Sequence, residues 1–269
     1  MADLDGRAPV PPKISAKNVC KVYDTADGPF VAVEDFSVDV ADGEFVAIVG
    51  PSGCGKSTFL SMVAGLEEIT SGSISITAGP VKNRPSNSVV FQEYAIFPWQ
   101  TVIENVAFGL KMRGVSKAER TETANYWLDR VGLAKFRSHY PHQISGGMKQ
   151  RVGIVRALAN DPEVLLMDEP LGALDAQTRV VLQEELLRIW EETRKTVLYI
   201  THSLEEAVLL GDRVVLMSAQ PGRILEVYDI DLPRPRSFET TTLPQFAEYR
   251  AMIWDKLSAE VTRSMEMQT

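Results

Sequence analysis

The chain has 269 residues, of which 45% are hydrophobic and 24% charged, a balance typical of soluble globular proteins. Its 28 basic and 36 acidic residues give a formal net charge of −8, which argues against a nucleic-acid binder, since such proteins carry a basic face. No apolar run reaches the length of a membrane span, and the first residues lack the pattern of a signal peptide. The two cysteines, Cys20 and Cys54, are not expected to form a disulfide, so a reducing cytoplasm is the expected location.

The first part of the chain predicts strands that lead to a glycine-rich loop. Residues 1–12 are polar and rich in proline, which predicts a mobile N-terminal tail. Apolar residues alternate loosely over 14–23, which predicts a strand, and a second strand is expected over 30–40. The continuous apolar run Phe45–Val49 predicts a buried strand, and residues 58–64 predict a helix.

Residues 50–58, between that strand and that helix, fit the pattern G-x-x-x-x-G-K-[ST] of a phosphate-binding loop. Its glycines let successive N–H groups point towards phosphate oxygens, and the helix N-terminus adds unpaired donors. Lys56 is expected to reach the β- and γ-phosphates, and the Ser57 hydroxyl is expected to ligate Mg²⁺. The alternative is a glycine-rich turn with an unrelated lysine, and the strand–loop–helix context argues against it. We expect nucleotide contacts from Gly50, Pro51, Ser52, Gly53, Cys54, Gly55, Lys56, Ser57 and Thr58.

The composition shifts after two further short strands, predicted over 71–77 and 88–91. Residues 101–140 carry a helical pattern in which charged helix formers replace the β-branched runs. We interpret residues from about 95 to 160 as a helical subdomain inserted into an α/β core. The elements predicted after it are strands over 164–167, 197–200, 214–217 and 224–228, helices over 175–195, 204–210 and 243–262, and a stiff linker over 233–236.

Two carboxylates, Asp168 and Glu169, follow the buried strand predicted over 164–167. In such sheets the carboxyl end of a strand lies beside the phosphate loop. Asp168 is placed to hold Mg²⁺ through water, and Glu169 is placed to polarise a water for attack on the γ-phosphate. An exposed Asp-Glu turn is the alternative, but the apolar run before it and the phosphate loop upstream argue against that interpretation.

Ser145, Gly146 and Gly147 open a predicted helix and offer a second anion site. One nucleotide needs only one phosphate loop, so a second glycine-rich helix start predicts a second ligand. By itself Ser-Gly-Gly is common in loops. Its position after the phosphate loop and just before the acid pair is what gives it weight.

Taken in order, these segments resemble the nucleotide-binding subunit of ATP-binding-cassette (ABC) transporters, over residues from about 14 to 228. The matching features are the phosphate loop 50–58, Gln92 of the glutamine loop, the signature-like 144–148, the acidic strand 164–169, Asp175 of the aspartate loop and the switch histidine His202. The resemblance implies a P-loop NTPase fold of the cassette type, with a mixed sheet core, an antiparallel β-subdomain and an inserted helical subdomain. It places the ATPase domain at 13–230 and a linker with a C-terminal helix at 231–269.

The resemblance also implies roles for single residues, with ATP and Mg²⁺ as cofactors. Glu169, His202 and Gln92 would serve catalysis, and Gln92 would join Ser57 and Asp168 at the metal. Tyr23 would stack on adenine, although a tyrosine at the rim of the core is the default for a half-buried strand. His202 could likewise be a core histidine. The resemblance adds Tyr23, Ser145, Gly146, Gly147 and Asp175 to the nucleotide contacts.

A head-to-tail homodimer is implied, with each ATP held between the phosphate loop of one copy and Ser145-Gly146-Gly147 of the other. Ile144 and Met148 replace the leucine and glutamine of the family signature, and we expect neither change to abolish binding. Cys54 is expected to be exposed in the loop, so bulky thiol reagents should block ATP binding.

Residues 90–99, 104–110 and 167–179 and the Pro-Arg-Pro-Arg linker resemble the nitrate, sulfonate and taurine importer group. The expected function is the ATP-hydrolysing subunit of such an importer, at the cytoplasmic face of the inner membrane. Its expected partners are two integral-membrane permease subunits and, indirectly, a solute-binding protein, but no nucleic acid. Phe97 and Trp99 would either pack in the core or form a docking groove for a membrane partner.

Three alternative functions stay open. One is the ATPase of another ABC transport system, with a different solute or for export or lipid transport. Another is a soluble cassette protein of translation, although such proteins usually carry two cassettes. The last is a DNA-repair or chromosome cassette, which needs a long coiled-coil insertion that this sequence lacks.

Overall fold

The computed structural model describes residues 11–81 and 83–266, so the predicted tail 1–12 lies almost entirely outside the described residues. The strands are β1 (Ile14–Thr25), β2 (Gly28–Val40), β3 (Phe45–Val49), β4 (Ser71–Ile76), β5 (Asn87–Val90), β6 (Val164–Asp168), β7 (Thr196–Ile200), β8 (Arg213–Met217) and β9 (Ile224–Asp229). The α-helices are α1 (Lys56–Val63), α2 (Val102–Met112), α3 (Lys117–Arg130), α4 (Gly146–Ala159), α5 (Ala176–Thr193), α6 (Leu204–Leu210) and α7 (Pro244–Glu266).

The larger of the two sheets has six strands in the order β5-β6-β7-β3-β8-β9. Its first five strands are parallel, and β9 pairs with β8 in the antiparallel sense. Every residue of β3 and β7 is buried, as expected for parallel strands covered on both faces. Because β6, β7 and β3 are parallel neighbours, the segments that follow their carboxyl ends meet at one edge of the sheet.

The smaller sheet is antiparallel, in the order β2-β1-β4. Ile14 of β1 lies opposite Val40 of β2 on one side and Ile76 of β4 on the other. Ile14, Val40 and Phe36 belong to a hydrophobic cluster that also contains Phe59 of α1. This cluster joins the small sheet to the larger one across the helix that follows the phosphate loop.

Helices α2, α3 and α4 occupy the chain between β5 and β6, where the composition shift predicts helices, and they contact one another. Thr101 caps α2 by accepting a hydrogen bond from the Glu104 N–H, and Glu104 accepts one from the Thr101 N–H in return. The buried side chain of Asn105 accepts a hydrogen bond from the Phe97 N–H and donates to the Phe97 carbonyl. The segment that carries Phe97 is thereby fixed to the start of α2.

Several predicted helix boundaries differ by one to four residues from those in the structure. Helix α1 begins at Lys56 instead of residue 58, because Gly55 adopts a left-handed conformation (φ +99°) and turns the chain directly into the helix. Helix α7 continues to Glu266, past the predicted end at residue 262. In the linker before α7, the buried Arg236 donates to the Gly211 carbonyl at the end of α6. Among the described residues, none of the helices combines the length and apolar character needed to cross a membrane.

Candidate functional site

The predicted phosphate loop lies between β3 and α1, as the sequence indicates. Gly53 and Gly55 have positive φ angles of +76° and +99°, which curl the loop. A Cβ atom at Gly55 would lie 2.7 Å from the carbonyl oxygen of Ala32, so this position also requires glycine for close approach. The backbone N–H groups of such a loop, together with the start of α1, could bind phosphate oxygens.

The Lys56 side chain is folded into the loop, with 6% of the residue exposed. Its Nζ atom donates to the carbonyl oxygens of Gly50 at 2.9 Å and Pro51 at 2.8 Å. These two carbonyls compensate the buried ammonium group. A phosphate oxygen could replace one of them with little movement of the loop.

Cys54 is buried, with 1% of its surface exposed, so the expectation of an exposed thiol is wrong. Its Sγ atom turns inward among core residues such as Met217 and Ile48 instead of facing solvent. The space for it comes from Gly50, where a Cβ atom would lie 2.9 Å from that sulfur. Burial raises the pKa of the Cys54 thiol, and the nearby Lys56 ammonium only partly offsets this effect.

Ser57 at the start of α1 meets Asp168 at the end of β6, where the Ser57 hydroxyl donates to Asp168 Oδ1 at 2.9 Å. Burial raises the pKa of Asp168, and the neighbouring Glu169 carboxylate raises it further. A hydroxyl and a carboxylate are hard oxygen donors of the kind that Mg²⁺ prefers. The described residues contain no cluster of three or more His, Cys, Asp or Glu side chains suited to a metal.

Glu169 and His202 follow the neighbouring strands β6 and β7, and the Glu169 Oε2 atom lies 2.8 Å from His202 Nδ1. Glu169 has a left-handed backbone (φ +42°), and its N–H donates to the Ile200 carbonyl at 2.9 Å. This unusual conformation at a non-glycine residue fixes the direction in which the carboxylate points.

A buried polar network that the sequence reasoning missed supports the end of β7. Glu206 of α6 accepts hydrogen bonds from the Tyr199 hydroxyl at 2.9 Å and from the Thr201 hydroxyl at 2.7 Å. The Thr201 hydroxyl in turn accepts a hydrogen bond from the Ser203 N–H, so the residues on both sides of His202 are held. Two adjacent acidic residues, Glu205 and Glu206, in the first turn of a helix that is apolar elsewhere are the one signal that the sequence offers for this network.

Ser145 caps α4, accepting a hydrogen bond from the Met148 N–H at 3.3 Å. A Cβ atom at Gly146 would lie 2.7 Å from the Tyr94 hydroxyl, and one at Gly147 would lie 2.7 Å from Thr178 Cγ2. Within the described ranges, no hydrogen bond or ion pair joins Ser145, Gly146 or Gly147 to the phosphate loop. The close neighbours of Gly146 and Gly147 within one chain are Tyr94 and Thr178, and not residues of the phosphate loop.

Three further predicted residues lie at the start of α5, after β5 and on β1. Asp175 caps α5 and accepts a hydrogen bond from the Thr178 N–H at 3.0 Å, a backbone bond that lowers the pKa of Asp175. Gln92 is exposed, just beyond the end of β5. Tyr23 is half-buried on β1, and Lys21 Nζ lies 4.6 Å from the centre of its ring.

Relatives named for transport ATP-binding proteins cover nearly the whole chain. Residues 33–172 match the family model "ABC transporter". An uncharacterized ABC transporter ATP-binding protein of Methanocaldococcus jannaschii, MJ0412, is 47% identical over 94% of each chain. The nitrate import ATP-binding protein NrtD of Synechococcus elongatus is 45% identical over 89% of each chain. The taurine import ATP-binding protein TauB of Burkholderia pseudomallei is 46% identical over 92% of this chain and 98% of its own length.

Solved structures of a cassette have the same fold. The dimeric ATP-binding cassette MJ0796, in a post-hydrolysis state bound to ADP and Pi, superposes with a TM-score of 0.72 at 32% identity. It covers 82% of this chain and 100% of that one. A second dimeric structure of MJ0796 gives a TM-score of 0.71 at 33% identity with the same coverage. The predicted cassette fold is thereby confirmed, and the chain belongs to the ABC transporter family as one of its ATP-binding ATPases.

Proposed function

We propose that this chain is the ATP-hydrolysing subunit of an importer for nitrate, a sulfonate, taurine or a related small anion. The observation that carries the ATPase part is the meeting of Ser57, Asp168, Glu169 and His202 where β3, β6 and β7 end. The solute class is supported by the nitrate and taurine import proteins, each about as similar to this chain as the other.

The phosphate loop and Lys56 would bind the phosphates of ATP. Thr58, the last residue of the loop, would also contact the nucleotide, and Tyr23 would lie against the adenine. Lys56 would exchange a bond to the Gly50 or Pro51 carbonyl for one to a phosphate oxygen. Ser57, Asp168 and Gln92 would hold Mg²⁺, which supplies charge neutralisation for the phosphates when bound. Because Lys56 would exchange a carbonyl oxygen for a phosphate oxygen, its buried ammonium group would be hydrogen-bonded both without and with ATP.

Glu169 would orient and polarise the attacking water, and His202 would contact the γ-phosphate. Since His202 Nδ1 faces Glu169 Oε2, Nε2 is the ring atom left to face the γ-phosphate. Phosphoryl transfer depends mainly on positioning and on charge stabilisation. The left-handed backbone of Glu169 supplies such positioning before any substrate binds.

Ser145, Gly146 and Gly147 would close over the γ-phosphate of a second copy, with Asp175 at the same interface. The solved MJ0796 cassettes, which are dimers, support this arrangement. A Glu169→Gln chain should dimerise when ATP is added. Adding Ser145→Arg should abolish the dimer and leave nucleotide binding by each chain intact. An ATP-dependent dimer that survives Ser145→Arg would contradict this arrangement.

A membrane partner would dock beside Trp99, which is 72% exposed. A cleft of about 380 Å³ adjoins it, lined by apolar residues including Ile103 and Ala107 and by charged ones including Glu104 and Lys111. We propose that each of the two copies binds one permease subunit at this cleft. The two permease subunits would place the chain at the cytoplasmic face of the inner membrane. A solute-binding protein would act only through them.

We also propose a cassette over 13–230, a helical subdomain from about 95 to 160, and a linker with the C-terminal helix over 231–269.

The solute is tested by deleting the gene in its source organism and growing the strain on nitrate, taurine or an alkanesulfonate as the sole nitrogen or sulfur source. We expect a growth defect on one of these anions, restored by the wild-type gene but not by Glu169→Gln. A defect on an unrelated solute would favour another ABC importer. Normal growth together with purification free of membrane proteins would favour a soluble cassette.

A further inference from the structure

Helix α7 packs on the core with apolar side chains such as Ile253 and Leu257, and it also buries one carboxylate, that of Glu260. Only 5% of Glu260 is exposed. Its Oε2 atom accepts a hydrogen bond from the Ala219 N–H at 2.7 Å, and its Oε1 atom lies 3.2 Å from Arg263 Nη1. Both oxygens are therefore engaged, one by a backbone donor in another part of the fold.

Ala219 belongs to the turn that joins β8 to β9, residues 218–223, and that turn is tied to itself. The Ser218 hydroxyl donates to the Pro221 carbonyl at 2.8 Å and accepts from the Arg223 N–H at 2.9 Å. The Ser218 N–H also donates to the Arg223 carbonyl at 2.9 Å. These bonds link Ser218, which precedes Ala219, to Pro221 and Arg223, which flank Gly222.

Gly222 lies directly against the phosphate loop. A Cβ atom at this position would lie 2.1 Å from the carbonyl oxygen of Cys54. The Gly222 N–H donates to the Ala32 carbonyl at 3.0 Å, and that same carbonyl oxygen is the close neighbour of Gly55. Gly222 and Ala32 thus pack directly against Cys54 and Gly55 of the phosphate loop. The turn 218–223, which contains Gly222, supports this packing.

We propose that Glu260 is a positioning residue for the phosphate loop, acting through Ala219 and the turn 218–223. When the carboxylate is withdrawn, the buried Ala219 N–H loses its acceptor and the turn is free to shift. The packing of Gly222 and Ala32 against Cys54 and Gly55 then loosens. The N–H groups of the loop are no longer held in the arrangement that binds phosphate before the nucleotide arrives. Nucleotide affinity falls, while turnover at saturating ATP, which depends on Glu169, changes little.

Two substitutions in the full chain separate the hydrogen bond from Ala219 to Glu260 from the negative charge of Glu260. Glu260→Gln keeps an oxygen that can accept from Ala219 and loses the charge towards Arg263. Glu260→Asp keeps the charge and is one methylene too short to reach Ala219. Titration with ADP should show Glu260→Gln within about twofold of wild type and Glu260→Asp weaker by about three- to tenfold. The KM for ATP should rise in the same proportion in Glu260→Asp, with kcat within about twofold of wild type.

Arg250→Ala is the matched control, since it removes an exposed ion pair between α7 and Glu205 and leaves Glu260 in place. ADP affinity should be unchanged in this variant. Wild-type ADP affinity in Glu260→Asp, with or without a lower melting temperature, would overturn the proposal. Equal losses in Glu260→Gln and Glu260→Asp would also overturn it, because they would assign the effect to the charge near Arg263. The outcome does not depend on which solute, if any, is imported.

Discussion

The Nδ1 atom of His202 lies 2.8 Å from Oε2 of Glu169, and the two residues follow neighbouring parallel strands. The His202 side chain is 54% exposed, whereas that of Glu169 is 19% exposed. The histidine therefore lies on the solvent side of the pair, where a nucleotide phosphate would approach. The carboxylate lies behind it, held by the left-handed backbone at Glu169.

We expect Glu169→Gln to bind nucleotide as the wild type does and to lose at least about 100-fold in turnover, because the amide cannot accept a proton from water. Phosphate release reports turnover, and ADP titration reports binding. His142→Ala is the control for general damage, since His142 is exposed and is not expected to take part in the site. Near-normal turnover in Glu169→Gln would remove Glu169 from its proposed role.

The substitutions Gly53→Ala and Gly55→Ala should lower the free energy of unfolding by different amounts, although both glycines have positive φ angles. Gly53→Ala meets no atom within 4 Å, so it should lower the free energy of unfolding by about 1 kcal/mol, the cost of a left-handed alanine. Gly55→Ala also forces its Cβ atom to 2.7 Å from the Ala32 carbonyl and should cost about 3 kcal/mol or more. Urea unfolding without nucleotide measures both. Equal losses would mean that Ala32 moves aside freely.

Motifs in the sequence located the phosphate loop, the acid pair and His202, because each motif is local and its strand context is readable from apolar runs. The same motif does not say which way the Cys54 side chain turns. That direction depends on Gly50 and Met217, which supply the space and the apolar neighbours. Contacts between distant segments were equally out of reach: Glu260 and Ala219 are 41 positions apart, and neither belongs to a recognisable pattern.

Cys54 should resist thiol reagents in the folded chain. Its burial restricts access, and the same burial raises its pKa and so lowers the reactive thiolate fraction. In a Cys20→Ser chain, Cys54 should react at least about tenfold more slowly in buffer than in denaturant. A Cys54→Ser chain is the control, because its half-buried Cys20 should show a smaller difference. Rapid labelling of folded Cys20→Ser would show that the phosphate loop opens often.

The buried ion pair between Lys13 and Glu163 should make stability fall in acid. Lys13 Nζ lies 2.8 Å from Glu163 Oε2, with both side chains almost fully buried. Burial opposes ionisation of Glu163, but the hydrogen bond from Lys13 and its charge outweigh burial and hold the pKa of Glu163 below its ordinary value. The stabilisation is therefore complete above the unfolded-state pKa of about 4.3 and is lost as pH falls through the lower folded-state value.

Glu163→Gln should accordingly cost about 3 kcal/mol of unfolding free energy at pH 7, since it removes the buried counter-charge of the Lys13 ammonium and leaves it only the exposed Asp42 carboxylate, 3.3 Å away. The difference from wild type should shrink as the pH is lowered below about 4, because the unfolded wild-type chain then binds a proton at this carboxyl before the folded chain does. Glu205→Gln provides the comparison, since its ion pair with Arg250 is exposed and should contribute less than about 0.5 kcal/mol at either pH. Urea unfolding at pH 7 and pH 3.5 measures all three chains. A Glu163→Gln deficit that stays constant between these pH values would show that the loss comes from packing and not from the charge.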